Sequence, residues 1–486
     1  MSALVSSPAR IASSVGAPRP GLLFPILLLA VFVAGVLASS ALDGALQLAA
    51  VGTFLLALLV VPAIHAVRSG ADMSGFVLVP TVISATQNLY LLLVADDVAP
   101  SALQVIIILN FVDAVLLVAI LAVCRPRAST AAVPDPVADS RTVLVRRSVL
   151  VIAGLLVFTA LGLVLFRAEP VAAVASFRNL VTPMLFLLIG LLASTQTRVN
   201  RYLGALAVLG ACTVLFGFFE LSAPQFWERA GLRHLWEAKG LGIADVRPLP
   251  ANFYSSEEFD GEIVRRMVSS FADPVNFGTF LFAAFTAAML VRSRLVMLLT
   301  AVGAVMTVSK GFFLSVLILV ALWAQVYAHP VVRVLSIIVV VGAGAGFYLF
   351  TLDNSSGSTA AHVGGFTAAF VELPGHPLGR GVGNVGVLAG LFDGGSESEV
   401  QESGVGVIIA QLGIPGILLY AVFFWSVIAH ARHLADARLR LGALALILGF
   451  LANATFNEVA LSPNSAAPYF VALGMILGTA KRRTLE

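Results

Sequence analysis

The residues best suited to chemistry are arginines and histidines set in polar stretches between long apolar runs. Arg265 and Arg266 stand in RRMVSSFADPVNFG, just before a helix start marked by Ser269, Ser270, Asp273 and Pro274. Guanidinium forks beside exposed helix-start amides suit phosphate oxygens. Glu257, Glu258, Asp260 and Glu262 lie just upstream, so neutralisation by these carboxylates is an equal alternative from spacing. Arg178, in ASFRNLVTP, reads as a cation at a helix start, where it opposes the macrodipole and calls for a carboxylate or an anionic ligand. Arg380, in HPLGRGVGN, lies in a glycine-rich turn whose open backbone lets a ligand approach closely. His362, in SSGSTAAHVGGF, is the leading general base, because imidazole titrates near neutrality and can take a proton from an attacking hydroxyl. A loop histidine is more often a plain surface residue, and His376, Glu372, Glu397, Glu399 and Glu402 compete for the same task.

The elements that must position these residues are set by composition. Of 486 residues, 59% are hydrophobic and 11% charged, with mean hydropathy +0.99. A soluble domain carries roughly 25% charged residues, so this is an integral membrane protein. A spanning helix needs about 20 apolar residues. Apolar runs occur at 22–40, 44–66, 75–95, 102–123, 148–166, 179–195, 202–222, 274–291, 295–308, 312–328, 334–351, 403–428, 441–458 and 464–480. They predict an all-α polytopic protein of about 14 transmembrane helices, with a hairpin at Ser309, Lys310 and Gly311 as its least certain turn. Two large loops, 223–270 and 352–402, then fall on one side. With the N-terminus inside, nineteen of the 29 basic residues are cytoplasmic, the expected positive-inside bias. Both termini are therefore expected in the cytoplasm and the polar loops outside. The run at 22–40 is read as an uncleaved first span rather than a signal peptide.

Residues 1–124 form an expected four-helix membrane region, 125–147 a Pro, Ala and Ser rich cytoplasmic linker, and 148–486 a ten-helix region that carries the two loops. The segment from Phe226 to Lys239 interleaves Trp227 and Trp236 with charges and reads as an amphipathic stretch at the headgroups. Inside the spans, Gln87, Asn88, Asn110 and Asp113 are polar. Intramembrane ionisable groups are costly and often functional, so these residues support a transporter reading, with inter-helix hydrogen bonding as the plainer account. Cys124 and Cys212 suggest neither a disulfide framework nor a zinc site, and no metal cluster or cofactor motif is visible.

The succession of Arg178, then RRMVSSFADPVNFG, TVSKGFFLSVLI, GSTAAH, GHPLGRGVGN and ESGVGVIIAQLGIPGILLY resembles the O-antigen polymerase and O-antigen ligase superfamily over roughly residues 178–430. The resemblance implies a GT-C like, metal-independent, inverting membrane glycosyltransferase without cofactor. Its donor would be a polyprenyl diphosphate-linked oligosaccharide, its acceptor a hydroxyl, and its place the outer face of the bacterial cytoplasmic membrane. The matching diphosphate-binding positions are Arg178, Arg265 and Arg266. Arg380 joins them from the residue reading. Arg266 and His362 are the expected catalytic pair, with Glu372 and Glu402 as alternative bases. Expected partners are membrane lipids and a chain-length regulator or other envelope assembly proteins, with no nucleic acid. Polymerase is placed slightly ahead of ligase, and a lipid-linked oligosaccharide flippase or other secondary transporter is the alternative.

Overall fold

Proline sets the helix starts. Its fixed φ and missing N–H suit the first helical position, and six described helices begin on one: Pro100, Pro136, Pro170, Pro274, Pro330 and Pro463. The computed structural model describes residues 59–94, 100–124, 136–238, 249–259, 262–354, 358–392 and 403–479. In chain order, the N-terminal helices are α1 (Leu59–Ser69), α2 (Ser74–Val94), α3 (Pro100–Val123), α4 (Pro136–Leu165), α5 (Pro170–Ala193) and α6 (Val199–Ser222). Short helices α7 (Phe226–Arg229) and α8 (Leu232–Ala238) lead to a hairpin of β1 (Tyr254–Phe259) and β2 (Glu262–Arg265). Then follow α9 (Pro274–Leu290), α10 (Arg294–Met306), α11 (Lys310–Tyr327), α12 (Pro330–Asn354), α13 (Ser358–Glu372), α14 (Val387–Phe392), α15 (Gly404–Arg432), α16 (Ala437–Phe456) and α17 (Pro463–Thr479).

Eight described helices are long and apolar enough to cross a membrane: α2, α4, α5, α6, α11, α12, α15 and α16. The chain is thus a polytopic, mostly helical membrane protein. The described helices do not add up to fourteen full spans, and the reason is length. Helix α10 has 13 residues and α9 and α17 have 17 each; at about 1.5 Å per residue α10 covers only about 20 Å. The run at 22–40 and most of 44–66 lie outside the described residues. The 223–270 stretch contains an antiparallel hairpin pairing Tyr254 with Arg265, so the protein is not purely helical. The 352–402 stretch contains α13 and α14 rather than open loop, and the 125–147 linker is helical from Pro136 onward.

One buried apolar core runs from Leu59 to Leu477. At its centre α5 crosses α17 where Gly190 meets Gly474; a Cβ on either would strike the other helix's backbone. Small residues let membrane helices approach this closely, and packing then replaces the hydrophobic drive that lipid removes. The N-terminal region is part of this core: Asn88 of α2 donates to Phe271 O, and Ser270 Oγ donates to Ala85 O at 2.6 Å.

The connections sort to two ends. At one end Arg201 pairs with Asp72, Gln196 donates to Val67 O at 3.1 Å, and Arg147 donates to Ser426 Oγ at 2.6 Å. At the other end Arg266 meets the turn after α10, Asn384 donates to Phe166 O at 3.1 Å, and Val387 N–H donates to Glu458. The turn at Ser309 therefore lies at the same end as the Arg265–Arg266 segment.

Candidate functional site

Glu220, in the last turn of α6, organises the first arginine segment. Its side chain is fully buried and accepts from Trp227 Nε1 (3.0 Å), Val268 N (2.9 Å) and the Arg265 guanidinium (2.9 Å). The indole N–H thus finds an internal partner, and Trp227 and Trp236 are buried against Phe253 rather than laid at the headgroups. Arg265 also donates to Phe253 O at 3.2 Å and lies 4.6 Å above the Phe253 ring. Burial lowers its pKa from the usual guanidinium value, and Glu220 opposes that shift. Arg265 is therefore a clamp on the hairpin with a carboxylate partner supplied by α6; the side chains of the four acids upstream lie outside the described residues.

Arg266 points elsewhere. Its Nε donates to Thr307 O at 2.7 Å and its Nη2 to Val308 O at 3.4 Å. A cation on the last carbonyls of α10 satisfies acceptors that the helix cannot and complements the dipole. Between Arg266 and α9 the chain is held in unusual backbone states, with Ser269 at φ 50° and Ala272 at φ 47°. Ser269 Oγ fixes the first by donating to Thr213 O at 2.6 Å. Non-glycine residues in the left-handed region persist only when their surroundings over-determine them.

The α9 N-terminus is not an open anion site. The Asp273 carboxylate accepts from Val275 N (2.7 Å) and Asn276 N (3.1 Å), so the expected phosphate cradle of helix amides is occupied by the chain's own cap. Burial raises the Asp273 pKa above the usual carboxylate range, against the pull of those two N–H bonds and of Arg266.

Arg178 is not at a helix start either. Helix α5 begins at Pro170, capped by Glu169, whose carboxylate accepts from Ala172 N at 2.6 Å. Arg178 sits two turns further along, half-buried, with Nε and Nη2 at 3.2 and 3.1 Å from Asn179 Oδ1. Among the described residues no carboxylate pairs with it.

Arg380 pairs with Glu372 at 2.8 Å, which joins a predicted phosphate ligand to a predicted alternative base. Their turn is seated on a break in α15 at Gly413, which has φ 61° and ψ −148°. The break frees carbonyls that must be satisfied inside a membrane. Arg380 N donates to Ala410 O at 2.8 Å and Gly381 N to Gln411 O at 3.1 Å. His362 is half-buried on α13, ten residues before Glu372, so about 15 Å of helix separates them. His376 is exposed, and Glu402 lies outside the described residues.

A buried polar cavity escaped the sequence reading. It is lined by Ser176, Asn179 and Leu180 of α5, Val407 and Gln411 of α15, and Glu458 and Leu461 of the turn before α17. The turn is tied to α9, since Ser462 and Ser465 hydroxyls donate to Asn276 Oδ1 at 3.1 and 2.6 Å. Asn179, the side-chain contact of Arg178, thus shares this cavity wall with Gln411 and Glu458. An acid at the edge of an apolar run, in ATFNEVALSPN, was the available signal for Glu458; Gln411 sits in an apolar run and Ser176 in the short stretch before one, with nothing to single them out.

Of the mid-span polar residues, Asn88 serves the Phe271 backbone. Asp113 is buried and its Oδ1 has no hydrogen-bond partner. Among the described residues, no three His, Cys, Asp or Glu side chains converge as a metal site. No family model matches the chain, and no curated protein matches it.

Proposed function

We propose that this protein is a GT-C like membrane glycosyltransferase, a polymerase or ligase of cell-surface polysaccharide with the polymerase reading placed first. It would transfer a glycan from a polyprenyl diphosphate carrier to an acceptor hydroxyl, with inversion, at the outer face of a bacterial cytoplasmic membrane. The observation that carries the reading is Arg178. A guanidinium stays protonated in proteins. Here it stands in a membrane-spanning helix with a neutral amide as its contact, and that amide, Asn179, lines a small cavity. Such a group is costly without an anion, and a charged residue within a span is a functional candidate by default. A lipid-borne diphosphate supplies the anion and reaches the helix from the bilayer.

Departure of the diphosphate places negative charge on the bridging oxygen, which fixed cations in a dry cleft stabilise as it grows. Arg178 is the primary ligand in this reading and Arg266 a second, with Arg265 holding the segment and Arg380 holding the glycine-rich turn through Glu372. His362 remains the base that the family resemblance implies. A secondary transporter or flippase is the other reading, favoured by the buried, unpartnered Asp113 Oδ1.

The test is the distribution of carrier-linked and surface glycans in a deletion strain complemented with wild type, Arg178→Ala, Arg266→Ala or Asp113→Asn at matched protein levels. Single repeat units accumulating on the outer-leaflet carrier in Arg178→Ala support a polymerase, and full-length chains left on the carrier support a ligase. Wild-type glycan in Arg178→Ala, or units trapped on the inner leaflet in Asp113→Asn, would sink the transferase reading.

A further inference from the structure

The cavity beside Arg178 has about 10 Å³ for the centre of a guest, the room of about one water molecule. Two of its lining side chains are almost wholly buried, Ser176 at 3% and Gln411 at 2% exposure. Ser176 Oγ and Gln411 Oε1 both lack a hydrogen-bond partner. Leaving a buried polar atom unsatisfied costs about 1–3 kcal/mol. Gln411 is held in place by its other end, where Nε2 donates to Val385 O at 2.6 Å, so its carbonyl is aimed by construction. Ser176 can donate, Gln411 Oε1 can accept, and the Glu458 carboxylate on the same wall can accept. That set matches one water: it receives from Ser176 and gives to Gln411 or Glu458. Glu458 is 6% exposed and fixed by Val387 N–H, which donates to Oε2 at 2.9 Å.

We infer that this cavity is a one-water proton relay and that Glu458 is the final acceptor of the proton lost by the attacking hydroxyl. The inference rests on the transferase reading and puts Glu458, through the water, in place of His362 as the group that takes the proton. The acceptor oxygen forms its bond to the anomeric carbon as the bond from that carbon to the diphosphate oxygen breaks. The electron pair leaves on the diphosphate, held by Arg178. The hydroxyl proton passes to the cavity water, a proton of that water passes to the Glu458 carboxylate, and Glu458 then releases it to bulk water. Arg178 and the relay share a wall, because the Arg178 partner Asn179 also lines the cavity.

On the elements around Glu458, α5 carries Arg178 with Glu169 at its cap and Asp273 stands at the start of α9, while His430, Arg432, Arg438 and Arg440 lie at the far ends of α15 and α16. The facing segments 404–411, 450–456 and 463–468 carry no titratable side chain. The pH dependence of transfer therefore has few other sources on these elements.

The experiment is transfer from a purified polyprenyl diphosphate-linked repeat unit by the full-length protein in lipid nanodiscs, with kcat, KM and the pH profile measured. Glu458→Gln keeps an acceptor oxygen for Val387 N–H and removes the base. It is expected to lower kcat by about 100-fold or more, with KM within about threefold, and to erase the acid limb of the profile. Glu458→Asp is expected to recover part of the rate and the acid limb, which a purely structural role would not restore. Ser176→Ala, a small change on a helix, is expected to lower kcat about tenfold with KM unchanged and serves where Glu458→Gln does not fold. Wild-type kcat and pH profile in Glu458→Gln or in Ser176→Ala, with Arg178→Ala inactive, would overturn the relay and leave the transferase reading standing. No transfer by wild type would end both.

Discussion

Two adjacent arginines do different work. Arg265 turns toward Glu220 and the Phe253 ring, while Arg266 turns toward the carbonyls that close α10. Glu220 is the hub, because it is fully buried and also accepts from Trp227 and Val268. Removing one member of a buried ion pair leaves an uncompensated charge, a loss of about 3–5 kcal/mol. Glu220→Ala is expected to lose about that much stability, read as the thermal unfolding midpoint in detergent. Arg265→Ala should lose less, because the carboxylate keeps its Trp227 and Val268 donors. Equal and small losses in both would show that the clamp does not hold the hairpin. The sequence displayed both arginines as possible phosphate ligands and offered four nearby acids as partners. Glu220, a partner of Arg265 from 45 positions upstream at the end of a span, is one that no local spacing could reveal.

At the scale of elements, what was legible was whatever obeyed a period or a punctuation mark. Long apolar runs gave most of the described helices within a few residues, although α4 and α5 start well before theirs, at Pro136 and Pro170. The segments that escaped were those whose geometry depends on a distant neighbour: α13 inside an expected loop, the hairpin, and the turn of Glu458 against α14. The α9 start shows a local rule read for the wrong use. Ser269, Ser270, Asp273 and Pro274 did mark a helix start, but Asp273 caps it and takes the amides that a phosphate would need. Because burial raises the folded-state pKa of Asp273, the folded protein binds that proton more tightly than the unfolded chain. Stability from this group is therefore present at low pH and lost as pH rises from the ordinary aspartate range through the raised value. Asp273→Asn keeps a capping oxygen and removes the charge. Its thermal midpoint is expected to equal or exceed that of wild type at pH 7, and its advantage should vanish as both are acidified toward pH 4. An advantage that grows on acidification would mean that the ionised cap is the favoured form.

For the whole molecule, the contacts group the connections between helices, and the arginine distribution predicts which group lies inside. The Arg201–Asp72 and Arg147–Ser426 contacts lie among connections expected inside. The Arg266, Asn384 and Glu458 contacts lie among those expected outside. Geometry alone does not say which end faces the cytoplasm; the positive-inside bias supplies the expectation that the prediction below tests. Helix α12 presents large apolar side chains along its length, half-buried at most, as a lipid-facing helix should. Orientation matters to the proposed mechanism, in which a carrier-linked glycan would be polymerised or ligated only where it can reach Arg178. The prediction uses two exposed positions at opposite ends, His376 and Ala435, each changed to cysteine in a chain whose Cys124 and Cys212 are replaced by serine. A membrane-impermeant maleimide applied to intact cells with a permeable outer barrier is expected to label His376→Cys, and to label Ala435→Cys only after lysis. The reverse pattern would place the arginines and the cavity on the cytoplasmic side, where a transferase acting on an already flipped donor has no substrate.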